Sequence, residues 1–397
     1  MKLLHVLPTF DPAAGGPVEG VRQSAVALVK LGHAVELATL DAPDAPHLAR
    51  SPVPIAALGP GRTKYGFAPH AAVWLREHAP RFDAVIVDGL WQYHGLATRH
   101  ALRGLPIPYY VFAHGMLDPW FKQTFPLKHL KKCLYWPWGE YRVLRDARAV
   151  LFTTEEERLR ARQSFRLYRA RERVVSYGAV EPPGDAARLC AGFLSTYPAL
   201  SSRRVLLFLG RLHPKKGCDL LLHAFARVAQ AEPQLHLVMA GTGDGQTVEQ
   251  LRALALELGI AERMTWTGLL QGELKWGALC ASDAFVLPSH QENFGVAVVE
   301  ALASGTPVLI SDKVNIWREV DADGAGFVSA DTVDGTVLNL RRWLALDAAS
   351  CTRMRARAHA AFVTRFTIDA HVRRVLHVLQ EDRLELDRSA AGIYRHV

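Results

Sequence analysis

Cysteine is scarce and unpaired in this chain: five residues, Cys133, Cys190, Cys218, Cys280 and Cys351, spread over 397 positions without a C-x-x-C pair. That pattern excludes a disulfide framework and a zinc-ribbon type of metal site, and it suits a reducing cytoplasm. No apolar run approaches the roughly 18 residues that a membrane-crossing helix needs. The opening "MKLLHVLPTF" is interrupted by His5 and Pro8 and is followed by no small-residue cleavage site, so it is expected to be a first buried strand and not a signal peptide. No Pro/Gly/Ser tract or charge block suggests disorder. Around the first glycine-rich loop neither G-x-G-x-x-G nor G-x-x-x-x-G-K-[ST] occurs, which leaves a dinucleotide fingerprint and a P-loop unsupported.

What is present is a globular composition, 49% apolar and 22% charged, with a net charge of +8. The length suits two domains of roughly 150 to 200 residues. The positive excess lies wholly in the first half: residues 1–190 hold 25 basic and 17 acidic side chains, and residues 191–397 hold 22 of each. Residues 122–173 alone carry 14 basic against 6 acidic. One surface of the N-terminal half is therefore expected to meet something anionic, with phospholipid, a phosphorylated acceptor and nucleic acid all candidates.

Short apolar runs alternate with helix-length stretches, as in "KLLHVLP", "EGVRQSAVALVKLGH" and "AVELATL", then "DAVIVDG", "PYYVFAHG" and "ARAVLFTT". Buried parallel strands read this way, with helices supplying the crossovers. The pattern pauses near "GAVEPPGDAARLC" and restarts with "RVLLFLGR", "LHLVMAG", "MTWTG", "DAFVLPS" and "PVLISD". The expectation is an α/β protein of two doubly wound, Rossmann-like domains facing each other across a cleft. The boundaries are an N-terminal domain over 1–180, a linker over 181–203, a C-terminal domain over 204–370 and a terminal helix over 371–397.

In open parallel sheets ligands bind beyond the carboxyl ends of strands, so the residues following each strand are the ones to inspect. Gly15 and Gly16 follow the first strand and open a helix whose amides could approach a phosphate or sugar. His114 ends the strand of "PYYVFAHG" and could donate a hydrogen bond or stabilise developing charge. Arg211 and Lys216 sit at a strand end and a helix start, where two cations and a helix dipole suit a diphosphate. In "SHQENFGVAVVEALASG", Glu292 lies on a strand-exit loop and Glu300 on the following helix. Eight residues of helix would separate them by about 12 Å, on different faces, against the roughly 5 Å that a retaining glycosidase needs. They are expected to hold different parts of one extended ligand.

"PWFKQTFPLKHLKKCLYWPWGEYRVLR" interleaves Lys122, Lys128, Lys131 and Lys132 with aromatics including Trp136 and Trp138. Lysines on anionic lipid with aromatics at the headgroups would make an interfacial helix. Single-stranded nucleic acid would use the same mixture, and a third reading packs the aromatics inside with solvated lysines.

Taken together, the Gly15-Gly16 loop, His114, "GRLHPKKG", "AGTGDG" at 240–245 and "PSHQENFGVAVVEALASGTPV" resemble the GT4 family of retaining glycosyltransferases, whose fold is the two-domain GT-B arrangement. The resemblance spans essentially the full chain and is most specific over 205–310. It implies that Arg211 and Lys216 bind the donor diphosphate, Glu300 the nucleotide ribose and Glu292 the transferred sugar. Backbone amides at Asn293, Phe294 and Gly295 would complete that site, and His114 would face the sugar. It further implies retention through an oxocarbenium-like state, and no metal or other cofactor. Where many relatives carry Gly-Gly before the next glutamate, this chain reads "KVNIWREV", with Asn315, Ile316 and Trp317 ahead of Glu319.

The expected function is a hexosyltransferase using a UDP- or GDP-sugar and a glycan acceptor, lipid-diphosphate-linked, in surface polysaccharide assembly at an anionic cytoplasmic membrane face, with no nucleic acid partner. The alternatives are a sugar-nucleotide epimerase of the same fold and a noncatalytic glycan- or nucleotide-binding protein.

Overall fold

In a computed structural model of the chain, which describes residues 1–393, the contacts divide the protein into two compact units, 1–178 with 368–397 and 179–367. The first unit is built on seven parallel strands: β1 Lys2–Leu7, β2 Ala34–Thr39, β3 Ile55–Ala57, β4 Ala84–Asp88, β5 Tyr109–Phe112, β6 Ala149–Phe152 and β7 Glu172–Val174. Their order across the sheet is β3-β2-β1-β4-β5-β6-β7, so the direction of winding reverses between β1 and β4. In such sheets that reversal opens the ligand crevice.

The central strands are buried along nearly their whole length, which explains their continuous apolar runs. One face of the sheet packs around Leu4, Val85, Val111 and Phe152 with the helices Pro69–His78 and Tyr93–Leu102. The opposite face packs Leu3, Leu37, Ile86 and Leu151 against the helix Gly16–Lys30 and against Val372, Val375, Leu376 and Leu379. Those four valines and leucines belong to the C-terminal helix Ile368–Ile393, which is thus part of the first unit. Asp382 on this helix is fully buried and lies 3.4 to 3.9 Å from the guanidinium groups of Arg148, Arg171 and Arg173.

The second unit has six parallel strands: β8 Arg204–Leu209, β9 Leu235–Ala240, β10 Met264–Gly268, β11 Ala284–Leu287, β12 Val308–Ser311 and β13 Gly326–Ser329. Their order, β10-β9-β8-β11-β12-β13, again reverses at the first strand, between β8 and β11.

The segment 181–203, expected from its prolines and serines to be a linker, is instead part of the second unit. It holds the helix Ala186–Thr196, which Asp185 caps by accepting a hydrogen bond from the Arg188 amide. This helix buries Leu189 and Phe193. It lies so close to the helix Gly272–Ala281 that a Cβ on Gly277 would stand 2.4 Å from the Leu189 carbonyl. Short β3, β7 and β13, at or near sheet edges, were not expected from the sequence, because three or four residues give too little periodicity to read.

Candidate functional site

In the second unit the residues expected from the sequence to form a site lie around the β8/β11 reversal. After β8 the chain exposes Arg211, makes a tight turn over Pro214–Lys216 and starts the helix Cys218–Ala229. Gly217 is the hinge of this turn: its φ is +64°, and a Cβ there would stand 2.2 Å from the carbonyl oxygen of Pro288, at the end of β11. That close approach is tied down by the His290 amide, which donates to the Lys215 carbonyl at 2.9 Å. Lys216 is thereby carried to the Glu292 loop, where its ammonium contacts the Glu292 carboxylate.

The electrostatics of Lys216 pull in two directions. Burial, with Lys215 and Arg211 close by, draws its pKa down to about 7; the carboxylate of Glu292 against it favours the charged form. The loop bearing Glu292 is held by backbone pairing to the loop after β12: the Glu292 amide donates to the Lys313 carbonyl and the Asn315 amide to the Glu292 carbonyl, both at 3.0 Å. Asn315, whose amide makes this bond to Glu292, and the adjacent Ile316 are both buried.

Glu292 is on the loop and Glu300 in the helix Val296–Ala303, as the spacing requires, with Gly295 as the helix N-cap. Phe294 is buried with its ring against Phe366, so only its backbone can address a ligand. Glu300 is nearly buried and accepts a hydrogen bond from the ammonium of Lys275 at 2.6 Å. Each glutamate therefore has its own lysine. Lys275, on the helix Gly272–Ala281, was missed from the sequence, since nothing local marks it.

In the first unit the polar cluster lies at the β1/β4 reversal. Asp88, the last residue of β4, is buried and accepts from His5 Nδ1 at 2.8 Å through one oxygen and from His114 Nε2 at 3.1 Å through the other. Burial alone would raise the Asp88 carboxyl; His5 and then His114 overcome it and hold it far below the usual carboxylate range. His114 has a positive φ of 47°, uncommon for a residue with a side chain. The neighbouring amide of Gly115 is fixed by buried Glu157 at 2.6 Å. The imidazole stacks on Phe112, with ring centroids 5.2 Å apart. Asp88 and Glu157 were also missed by sequence reasoning, although "DAVIVDG" places an aspartate at a strand end, which was the available signal. Gly15 and Gly16 stand where expected, between the turn Pro12–Ala14 and the helix Gly16–Lys30.

The basic aromatic segment divides. Trp136 does not lie on a membrane or acceptor surface as expected: it is buried, stacked on Phe165 at 4.3 Å, and its indole N–H donates to the Arg166 carbonyl. Lys132 is turned inward over the Trp91 ring at 4.2 Å. The helix Pro126–Tyr135 exposes Leu127, Leu130 and Leu134 at 78%, 59% and 71%, with Trp138 at 69% just beyond it. Among the described residues no group of three or more His, Cys, Asp or Glu could hold a metal ion, and no helix is long and apolar enough to cross a membrane.

The chain matches two family models: "Glycosyl transferase 4-like domain" over residues 15–178 and "Glycosyl transferases group 1" over 197–361. The chain belongs to the GT4-type glycosyltransferases. Its two parallel-sheet units follow the GT-B fold of that family. Among solved structures, Alr3699/HepE from Anabaena in complex with UDP and glucose superimposes with a TM-score of 0.75 at 17% identity, covering 96% of this chain and 99% of that one. Sucrose-phosphate synthase from Thermosynechococcus elongatus gives a TM-score of 0.73 at 20% identity, covering 98% and 100%. Among curated relatives, the D-inositol 3-phosphate glycosyltransferase of Mycolicibacterium gilvum is 34% identical over 242 residues, 58% of this chain and 52% of that protein. The mannosylfructose-phosphate synthase of Agrobacterium fabrum is 34% identical over 123 residues, 30% of this chain and 27% of that protein. The chain thus spans about half the length of the D-inositol 3-phosphate glycosyltransferases it matches.

Proposed function

We propose that this GT4-type protein is a retaining hexosyltransferase that takes a hexosyl group from a UDP- or GDP-linked donor to a glycan acceptor. The observation that carries the reading is the convergence of Arg211, Lys216 and Glu292 on one strand-end site, cations and carboxylate together. When the bond between the anomeric carbon and the diphosphate breaks, negative charge develops on the departing phosphate oxygens. Arg211, Lys216 and the amides at the start of the helix Cys218–Ala229 are the groups that would stabilise it, in the role a metal ion would otherwise take.

Glu292 is assigned to the hydroxyls of the transferred sugar and Glu300, oriented by Lys275, to the ribose. Backbone amides around Asn293, Phe294 and Gly295 are assigned to the stretch between them. His114 is assigned to the hydroxyls of the transferred sugar. With Nε2–H donating to Asp88, Nδ1 of the neutral ring is the atom left to accept from a substrate hydroxyl, and it donates only in the imidazolium form. Gly15 and Gly16 are assigned to close backbone approach by the substrate.

The direct test incubates the protein with a panel of UDP- and GDP-sugars and follows slow donor hydrolysis without acceptor, then transfer on adding one. Release of free hexose and nucleoside diphosphate supports the reading. Return of the donor as an epimer would replace it with the epimerase.

The acceptor is proposed to be lipid-linked, in exopolysaccharide or lipopolysaccharide assembly at the cytoplasmic face of the membrane. Support comes from the exposed stripe of Leu127, Leu130 and Leu134, which a 100° turn per residue places on one helix face, flanked by Lys128 and Lys131. Replacing Lys122, Lys128 and Lys131 by Ser should reduce sedimentation with vesicles containing phosphatidylglycerol. Unchanged sedimentation would leave the stripe to the acceptor.

A further inference from the structure

The contact between Lys216 and Glu292 has a consequence for what the site prefers to hold. Both side chains are mostly buried but keep 21% and 16% of their surface exposed, so a ligand can still reach them. They are brought together by backbone, through the Gly217–Pro288 approach and the His290-to-Lys215 hydrogen bond, and not by a chance rotamer on a loose loop. Yet the ligand assigned to Lys216 is a diphosphate, an anion that must take the ammonium away from Glu292.

We propose that Glu292 is a specificity residue by which the site prefers an intact nucleotide sugar to the spent nucleoside diphosphate; this rests on the donor-site reading given above. Glu292 occupies the place on Lys216 that the diphosphate would take. A bare nucleoside diphosphate wins Lys216 but leaves the Glu292 carboxylate without its cation, beside new negative charge, in a site too buried for water to screen it fully. A nucleotide sugar makes the same exchange and brings hydroxyl donors that satisfy the released carboxylate. The one residue therefore penalises the product and accepts the substrate, and after transfer, when the sugar has gone, its return to Lys216 helps to expel the nucleotide.

The test is a set of binding titrations with UDP, GDP and the corresponding glucose and mannose nucleotides, on the intact chain and on Glu292→Gln, Lys216→Ala and the double variant. Glutamine keeps the shape and a hydrogen-bonding group while removing the charge that pairs with Lys216. Glu292→Gln should bind the nucleoside diphosphate about 3- to 10-fold more tightly than the unaltered protein, and the preference for the sugar nucleotide over the diphosphate should shrink. In the Lys216→Ala background the same change should gain less, because the pair is already absent. Unchanged or weaker diphosphate binding by Glu292→Gln overturns the proposal while leaving the donor site standing. If Lys216→Ala binds every nucleotide as tightly as the unaltered protein, or no nucleotide binds any form, the donor site itself is wrong and the proposal falls with it.

Discussion

Replacing Glu140 by glutamine should make the protein more stable, and increasingly so as the pH rises. Glu140 opens the helix Glu140–Asp146, is 1% exposed and accepts a hydrogen bond from the Trp91 amide at 3.1 Å through one carboxyl oxygen. The other oxygen has no hydrogen-bond partner. Burial pushes the carboxyl up from 4.5 to about 8, against smaller opposing contributions from the Trp91 amide and Lys132. Between those two values the unfolded chain releases the proton and the folded chain keeps it, so stability is full below pH 4.5 and drains away as pH rises towards 8. The slope is about 1.4 kcal/mol per pH unit midway and tapers near each pKa, which amounts to roughly 3.5 kcal/mol between pH 5 and pH 8. Glutamine can keep the bond from Trp91 and carries no charge to desolvate, so its stability profile should lack this descending slope. Urea denaturation at pH 5, 6, 7 and 8, read as midpoint times slope, measures the difference. Parallel profiles for the two proteins, or a variant that loses ground as pH rises, would refute the argument from burial. Trp91, with its positive φ of 72°, sits in the loop after β4, so backbone strain and a buried ionisable group occur together there.

Three other outcomes follow from the same geometry. Lys216→Ala should lower turnover by about 100-fold or more, the loss typical of removing one group aimed at developing negative charge, with folding unchanged by circular dichroism; near-normal kcat would sink the assignment. Gly217→Ala forces a Cβ to 2.2 Å from the Pro288 carbonyl at a left-handed φ, so it should cost on the order of 1 to 3 kcal/mol of stability. It should also weaken nucleoside diphosphate binding in the same titrations, while an alanine at the open Gly32 should weaken none. His94 and His371 are buried and held neutral, each drawn down to about 4 chiefly by desolvation. Unfolding lets them take up protons between pH 6.5 and 4, so stability should fall as pH falls through that window, by up to about 3 kcal/mol for each histidine. His94→Gln should flatten the acid limb seen in thermal melts.

Much of the fold was legible because burial writes itself into sequence. Ten of the thirteen strands among the described residues appear as apolar runs that need no partner to be recognised, and their alternation with helices is what marks parallel, helix-covered sheets. The linker was misread for an equally physical reason. Pro182, Pro183 and Gly184 do break the chain, but the amphipathic helix that follows, with Leu189 and Phe193 on one face, belongs to the unit it packs against. The aromatic segment was misread at Trp136 because a tryptophan and a lysine in one stretch look alike whether the ring is outside or inside. Here the Phe165 face and the Arg166 carbonyl decide for the interior.

The site was legible as positions but not as pairs. Strand ends could be read along the chain, which is why Arg211, Lys216, Glu292 and His114 stood out. Their partners could not be read, because partnership depends on parallel register and on close backbone approach between loops distant in sequence. Asp88 meets His5 because β4 lies beside β1, with His5 paired to Ile86 in the register. Lys216 meets Glu292, 76 residues away, because Gly217 lets one loop touch the end of β11. The same reasoning separates the two glutamates. Glu292 takes its lysine from the turn after β8 and Glu300 takes Lys275 from a different helix, so each carboxylate has a cation of its own. Two carboxylates balanced in that way do not share a proton as an acid and base pair would. Under the proposed donor site they would be given up one at a time to two parts of a single ligand, and the proposed Lys216 exchange would make the first of those transfers measurable without any acceptor.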